Sequence, residues 1–262
     1  MLGTFVDVTA DREEAIEEAF RTIERVHRLM SAHEPDSDVS RINRSAHETP
    51  VELDPWTRAV LERAQFWSAR SLGAFDVVRA GKLAVETGYL PRHADQPAPL
   101  ACGWTELELG KKGARLARPG CIDLGGIAKG FAVDRAIAAL KSCGARYGLV
   151  NAGGDLRAFG REWAATLVEP RERRAIATLS VEDQSIATSA LQPGTAADHL
   201  PWRDERYVSA TVRAADCMDA DALAKVLISG AAQACHCLSL VGGKGLMVTD
   251  RGLVEALEPV AA

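Results

Sequence analysis

The sequence lacks the features of a membrane-spanning, exported or nucleic-acid-binding chain. No apolar run approaches the ~20 residues that cross a bilayer as a helix, and the first residues, MLGTFVDV, lack the basic and apolar regions of a signal peptide. The formal net charge is −5, and the basic run RERR at 171–174 is more typical of a solvated loop than of a phosphate-binding track. We therefore expect no membrane span, no nucleic-acid partner and a cytoplasmic location.

Cysteine is scarce as well, and its spacing fits no metal pattern. Six cysteines stand at 102, 121, 143, 217, 235 and 237. The triplet Cys235-His236-Cys237 would point neighbouring side chains in different directions on a helix, whereas a zinc site needs about four convergent ligands. We expect these cysteines to be small core residues in a reducing compartment. The sequence also contains neither GxGxxG nor the phosphate-binding GxxxxGK[ST].

The segments that are present mix helical and strand-like patterns within 262 residues, a length that we interpret as a single domain, 1–262. Apolar spacing predicts helices over 12–31, 55–71, 126–141 and 218–228, with Asp11 capping the first and Asp54-Pro55 beginning the second. Residues 32–50 are polar, 91–99 form an exposed connector, and strand-like segments occur at 3–10, 121–124, 146–152, 156–160, 163–169, 174–181, 185–190, 207–214 and 245–257. This order favours an α+β fold over a regular βαβ alternation.

One stretch, IDLGGIAKGFAVD at 122–134, combines a glycine turn, a lysine and two aspartates. Glycines let the backbone approach a ligand closely, and the N-terminus of a helix suits a phosphate. A cation such as Lys129 is disfavoured there by ~0.3–1 kcal/mol unless an anion is bound. The alternative is a tight strand-to-helix turn with an exposed lysine.

Two further polar clusters are ambiguous when each is taken alone. In NAGGD, at 151–155, paired glycines again permit close approach, and Asp155 could orient a ligand hydroxyl or simply cap the turn. The hydroxyls of SIATS, at 185–189, could donate to a phosphate or carbonyl, or could face water on an edge strand.

The fourth cluster, MDADALAK at 218–225, carries carboxylates near a predicted helix start. Asp219 suits an N-cap. Two carboxylates at this position could hold a hard cation such as Mg²⁺. Alternatively, Asp221 and Lys225 could form an i,i+4 ion pair worth ~0.2–0.5 kcal/mol.

Taken together and in this order, the segments resemble the FAD:protein FMN transferases, the ApbE family. The resemblance spans about residues 3–250, and besides the four clusters it includes Gly3-Thr4-Phe5, MSAHEPDSDVSRIN at 30–43 and GAFDV at 73–77. It implies an ApbE-like, T-fold-related α+β fold in which mixed, mostly antiparallel sheets pack against helices. It also implies a single transferase-like domain.

The resemblance also implies an activity and a set of site residues. Such proteins bind FAD as substrate together with a divalent metal, usually Mg²⁺, cleave its pyrophosphate, and attach FMN to a Ser or Thr hydroxyl of an acceptor flavoprotein. It assigns catalytic roles to His199 and Asp221, with an ordinary loop histidine as the alternative for His199, and it makes Asp221 and the Ala128 carbonyl metal ligands. The residues that it places at FAD are Ser37, Asp76, Asp123, Gly126, Lys129, Gly130, Gly153, Gly154, Asp155 and Thr188.

Three departures from the family pattern follow, of which the first two bear on the metal and on catalysis. Where the family usually has a threonine ligand, four residues after the aspartate, this chain has Lys225, whose protonated ammonium has no lone pair for Mg²⁺. The segment between Ala190 and Val208 is shorter than in the family, and His33 stands where the family has a tyrosine-like position. The alternatives are therefore a relative that binds or hydrolyses FAD without transfer, and a folded scaffold without flavin.

Overall fold

The computed structural model describes residues 1–92, 95–170, 174–190, 206–230, 232–252 and 254–257. The strands in that part of the chain are β1 Val6–Ala10, β2 Leu107–Gly110, β3 Gly113–Leu116, β4 Gly148–Ala152, β5 Asp155–Phe159, β6 Trp163–Val168, β7 Ala175–Val181, β8 Ser185–Ala190, β9 Tyr207–Ala214, β10 Lys244–Thr249 and β11 Val254–Leu257. The helices are α1 Glu13–Met30, α2 Asp38–Ser45, α3 Pro55–Arg70, α4 Val77–Glu86, α5 Ala128–Ser142, α6 Cys217–Ile228 and α7 Ala234–Ser239. Among these described helices, none is both long enough and apolar enough to cross a bilayer.

A seven-stranded sheet in the order β1-β4-β5-β8-β9-β10-β11 forms the centre of the molecule. Each neighbouring pair in it is antiparallel. Two small hairpins, β2-β3 and β6-β7, stand outside this sheet. This mixture of helices and antiparallel strands confirms the α+β class expected from the sequence.

Two helices cover one region of the sheet and carry the polar clusters. Helix α5 packs against β4 and β5, α6 packs against β8 and β9, and α1 lies on α5. The apolar stripe of α1 explains its position, because Ala15, Ala19, Ile23 and Val26 recur at three- and four-residue steps and are all fully buried. The N-termini of α5 and α6 consequently lie together near the glycine turn at 153–154, which joins the end of β4 to the start of β5.

The polar stretch at 32–50 contains a helix that we did not predict. Helix α2 begins after Ser37, whose Oγ accepts a hydrogen bond from the Ser40 backbone N–H at 3.0 Å. Its Asp38, Ser40 and Asn43 are buried despite being polar. Burial of polar residues hides the apolar stripe that would otherwise reveal a helix.

The segment Cys121–Leu124 is not a strand, although its sequence predicted one. Its backbone groups pair instead with a side chain. The Asn43 amide donates to the Ile122 carbonyl at 3.1 Å, and its Oδ1 accepts from the Ile122 N–H at 2.7 Å. The segment is therefore extended and satisfied without a neighbouring strand.

Three predicted helix starts also differ from the structure. Asp11 does not cap α1, because its carboxylate binds Arg146, and α5 begins at Ala128 rather than Gly126. Asp219 lies inside α6 and not at its N-cap. Its carboxylate is held there by the Arg63 guanidinium, with both contacts at 2.6 Å, and by the Trp67 indole N–H at 2.8 Å.

Candidate active site

Helices α5 and α6 lie in close contact at Gly130. A Cβ on this residue would lie 2.3 Å from the Cys217 carbonyl oxygen, so only glycine permits the approach. The Gly130 N–H, in the first turn of α5, donates to Asp221 Oδ2 at 3.0 Å. This contact joins the first and fourth polar clusters of the sequence.

Lys129 joins the second cluster to the other two. Its Nζ lies 2.5 Å from Asp155 Oδ2 and 3.7 Å from Asp221 Oδ1. Asp155 is 1% exposed and Asp221 is 0% exposed, whereas the Lys129 side chain is 24% exposed. The ammonium thus lies between two buried carboxylates and the surface.

Within the described part of the chain, a second ammonium, from α6, pairs with Asp221 alone. Lys225 Nζ hydrogen-bonds Asp221 Oδ1, one helical turn away. The Lys225 stem lies beside the turn at 125–126 that precedes α5, since a Cβ on Gly126 would lie 3.5 Å from Lys225 Cε. We call the four residues Lys129, Asp155, Asp221 and Lys225 the charge cluster.

The electrostatics of the charge cluster differ between its two acids. Burial opposes the charge on Asp221, but the Lys129 and Lys225 ammoniums outweigh burial and lower the pKa of Asp221. Burial raises the pKa of Asp155, with the charge of Asp221 acting in the same direction. Burial also opposes the charge on Lys129, yet the two carboxylates raise the pKa of Lys129. Asp221 is therefore the firmly ionised acid of the pair.

Asp155 keeps one oxygen unused. Its Oδ1 is buried and has no hydrogen-bond partner among the residues that the structure describes. A buried carboxylate oxygen without a donor is costly, and such atoms are rare in folded proteins. A water molecule or a ligand group that donates a hydrogen bond would satisfy this oxygen.

A glycine turn forms the wall next to Asp155. Gly153 and Gly154 have φ angles of +68° and +101°, which side chains other than glycine's rarely adopt. The Asn151 Oδ1 accepts from the Gly154 N–H at 2.9 Å and fixes the turn. A Cβ on Gly154 would meet nothing within 4 Å, so the backbone here is open to a ligand.

The other wall is the segment that precedes α5. Asp123 follows Ile122, whose backbone is hydrogen-bonded to the Asn43 side chain. The Asp123 N–H donates to the Val77 carbonyl at 2.9 Å, and the Asp123 Oδ1 accepts from the Gly125 N–H at 2.9 Å. Burial raises the pKa of the Tyr89 hydroxyl, and the charge of Asp123 adds to the effect while the charge of Lys129 opposes it. The His33 ring lies edge-on to Tyr89 with centroids 6.4 Å apart.

A family model described as the ApbE family matches residues 2–196. The chain belongs to the ApbE family. Among curated relatives named FAD:protein FMN transferase, it is 28% identical to that of Treponema pallidum over 210 residues, covering 69% of this chain and 58% of the relative. It is 29% identical to that of Haemophilus influenzae over 205 residues, covering 70% of this chain and 59% of the relative. In these two matches, less than two thirds of the relative's own length is covered.

Solved ApbE structures match over nearly the whole chain. The flavin transferase ApbE of Vibrio cholerae superposes with a TM-score of 0.80 at 25% identity, covering 98% of this chain and 94% of that one. The ApbE protein of Thermotoga maritima superposes with a TM-score of 0.82 at 25% identity, covering 97% and 94%. The ApbE fold expected from the resemblance is therefore confirmed.

Several residues that the ApbE resemblance assigns to FAD have structural contacts outside the charge cluster. Asp76 caps α4, because its Oδ1 accepts from the backbone N–H groups of Val78 and Arg79 at 2.9 and 3.1 Å. Ser37 caps α2. Their roles at FAD stay predictions, and both hold in place helices that border the segment 121–124.

Thr188 lies in the middle of the sheet, so the edge-strand alternative for it is wrong. Strand β8 stands between β5 and β9, and Thr188 Oγ1 is 2.9 Å from Thr211 Oγ1. Ala128 begins α5 next to the charge cluster and is 6% exposed. His199 falls outside the described residues, so its catalytic role stays a prediction.

Two residues next to the candidate site were not recognised in the sequence of this ApbE chain. Asn43 was quoted only as part of a motif, yet it positions the backbone before Asp123. Tyr89 was not considered, because a lone tyrosine in a loop carries no spacing signal. The ion pair between Asp221 and Lys225 was one of the two alternatives left open for that cluster, and it is present.

Proposed function

We propose that the chain cleaves FAD and attaches FMN, through a phosphoester, to a Ser or Thr hydroxyl of an acceptor flavoprotein. Membership of the ApbE family and similarity to relatives named FAD:protein FMN transferase support this activity. The observation that carries it is the convergence of the glycine turn 153–154, the first turn of α5 and two ammoniums on one pair of buried carboxylates. Backbone N–H groups, a helix N-terminus and lysines are the groups that bind a diphosphate.

The proposed reaction is a phosphoryl transfer in which charge neutralisation and positioning dominate. The acceptor oxygen forms a bond to the phosphorus of the FMN half, and the bond from that phosphorus to the bridging oxygen breaks. AMP leaves with the electron pair, and the hydroxyl proton passes to a base. Lys129, Lys225 and the positive end of α5 are placed to stabilise the negative charge that builds up on the phosphate oxygens.

The magnesium ion implied by the resemblance does not fit the donors around Asp221. One carboxylate oxygen accepts from Gly130 and the other from Lys225, and an ammonium cannot ligate a metal. Two unit charges ~4 Å apart repel by about 4 kcal/mol at an effective dielectric constant of about 20, and a divalent ion doubles that repulsion. Among the described residues there is also no group of three or more His, Cys, Asp and Glu that could hold a metal.

The activity is tested with FAD and an acceptor flavoprotein prepared without its covalent flavin. We expect AMP release and an increase in acceptor mass equal to FMN, on a Ser or Thr. Lys129→Met should lose both signals, while the matched control Lys112→Met, an exposed lysine in the β2-β3 turn, should retain them. AMP release without a mass increase would favour an FAD hydrolase instead, and no flavin binding would favour the scaffold.

We propose one transferase domain over 1–262, which limited proteolysis would test. We also propose a cytoplasmic site of action, which cell fractionation would test. The identity of the acceptor protein would follow from flavin-labelled proteins in cells that lose this chain.

A further inference from the structure

Lys225 is held in a fixed place and does not extend freely from the surface. Its side chain is 13% exposed, and its stem packs against Gly126, where an added Cβ would lie 3.5 Å from Cε and 3.7 Å from Cδ. Its ammonium bonds the fully buried Asp221. Packing of the stem and pairing of the head both favour this one conformation.

The Lys225 ammonium is bound to a carboxylate oxygen of Asp221 that a divalent cation would use as a ligand. A hard cation needs about six oxygen ligands. Asp221 Oδ1 already accepts from Lys225 with Lys129 Nζ 3.7 Å away, and Asp221 Oδ2 accepts from Gly130. A divalent ion at Asp221 would have to displace Lys225 and face the charge of Lys129.

The charges in the cluster balance without a metal. Two carboxylates face two ammoniums, and both lysines lie next to the turn before α5, since Lys129 Nζ is 3.4 Å from the Gly125 carbonyl oxygen and the Lys225 stem lies beside Gly126. A diphosphate at this turn would therefore meet two ammoniums already paired with carboxylates, together with the positive end of a helix.

We propose that the Lys225 ammonium takes the place of the divalent cation, so that this chain binds the diphosphate of FAD without a metal ion. The identity of the diphosphate rests on the proposed function. The exclusion of the metal does not, because it follows from the contacts of Asp221 alone.

The first test compares FAD affinity in chelator and in Mg²⁺, by quenching of flavin fluorescence. Wild type should give the same Kd in both. Lys225→Thr should bind FAD about tenfold or more weakly in chelator, as expected when a charge-assisted hydrogen bond is lost, and Mg²⁺ should restore much of the affinity. Lys225→Met, which has neither the charge nor a ligand oxygen, should bind weakly in both.

The second test needs no flavin. Mn²⁺ binding is followed by electron paramagnetic resonance in wild type, Lys225→Thr and the matched control Lys82→Thr. Lys82 forms an i,i+4 pair with Glu86 on α4, outside the charge cluster. Only Lys225→Thr should gain a Mn²⁺ site.

The outcomes separate this proposal from the proposed function. If wild type binds FAD only with Mg²⁺, or binds Mn²⁺ as well as Lys225→Thr does, the replacement of the metal by Lys225 is overturned. If no protein binds FAD in any condition but Lys225→Thr gains Mn²⁺, the exclusion of metal stands and the proposed function fails. If Lys225→Thr does not fold, a wild-type and Lys225→Met pair with equal FAD affinity in chelator overturns the proposal.

Discussion

Gly130→Ala tests whether the close approach of α5 and α6 builds the site. Helix propensity alone would stabilise this variant by about 1 kcal/mol, because alanine replaces glycine within a helix. The added Cβ would lie 2.3 Å from the Cys217 carbonyl oxygen and 2.8 Å from Met218 Cα. Ordinary carbon contacts need about 3.5 Å, so α6 must move by about 1 Å.

That movement breaks the hydrogen bonds that join the two helices. The Gly130 N–H lies 3.0 Å from Asp221, and the Asp134 carboxylate accepts from the Cys217 and Met218 N–H groups at 2.9 and 2.8 Å. Hydrogen bonds to charged groups contribute about 1.5–3 kcal/mol each, and overpacking costs about 1–3 kcal/mol. Allowing for partial relaxation, we expect the unfolding free energy to fall by about 2–4 kcal/mol.

The assay is urea unfolding followed by circular dichroism, with FAD affinity as a second measurement. The midpoint should fall without a change in slope, and FAD should bind more weakly. Gly110→Ala is the control, because its Cβ would meet nothing within 4 Å, and it should change stability by less than about 0.5 kcal/mol. A Gly130→Ala protein as stable as the control, with unchanged FAD affinity, would refute the reasoning.

Three further substitutions probe the surroundings of the site. Asn43→Ala should lower the unfolding free energy by about 2–4 kcal/mol in urea, because it strands the buried N–H and C=O of Ile122, and a loss below about 1 kcal/mol would contradict this. Asp219→Ala should lower the unfolding free energy in urea by about 3–5 kcal/mol, because it leaves the Arg63 guanidinium without its carboxylate. A urea midpoint equal to that of wild type would refute this. Burial raises the pKa of Asp76, so the folded chain holds a proton that the unfolded chain releases. The stability of wild type should therefore fall as pH rises from about 4 through the folded pKa, relative to Asp76→Asn, and parallel pH curves for the two proteins would contradict this.

Much of the sheet and the main helices could be predicted from the sequence. Alternating strands and the stripe of α1 are local patterns whose burial the spacing reveals. Helix α4 was not predicted, because Gly81 in its middle lowers the helix propensity of the segment. Glycine is required there by a tertiary contact, since a Cβ on Gly81 would lie 2.4 Å from the Cys121 carbonyl oxygen. Likewise, the extended segment at 121–124 resembled a strand because its actual partner, the Asn43 side chain, is 79 positions away from Ile122.

The candidate site was predictable as a set of segments but not as a set of contacts. Three of the four clusters come together in the structure, where Lys129 lies next to Asp155 and Asp221 and the Gly130 N–H donates to Asp221. Which acid each lysine binds depends on how α5 and α6 cross, and that is decided by the glycine at their contact. Ser37 and Asp76 show that polar residues of a motif can also have a structural role, since both accept hydrogen bonds from backbone N–H groups at the start of a helix.

The two hydrogen bonds between the Asn43 side chain and the Ile122 backbone couple the stability of α2 to that of the turn before α5. An amide side chain that pairs with both peptide groups of a distant residue ties the folding of α2 to the order of the turn before α5. Because unfolding of α2 would break these two hydrogen bonds, a molecule that binds the turn and stabilises it would also disfavour local unfolding of α2, without contacting α2. The stability of α2 would then contribute to the affinity of the turn for such a molecule.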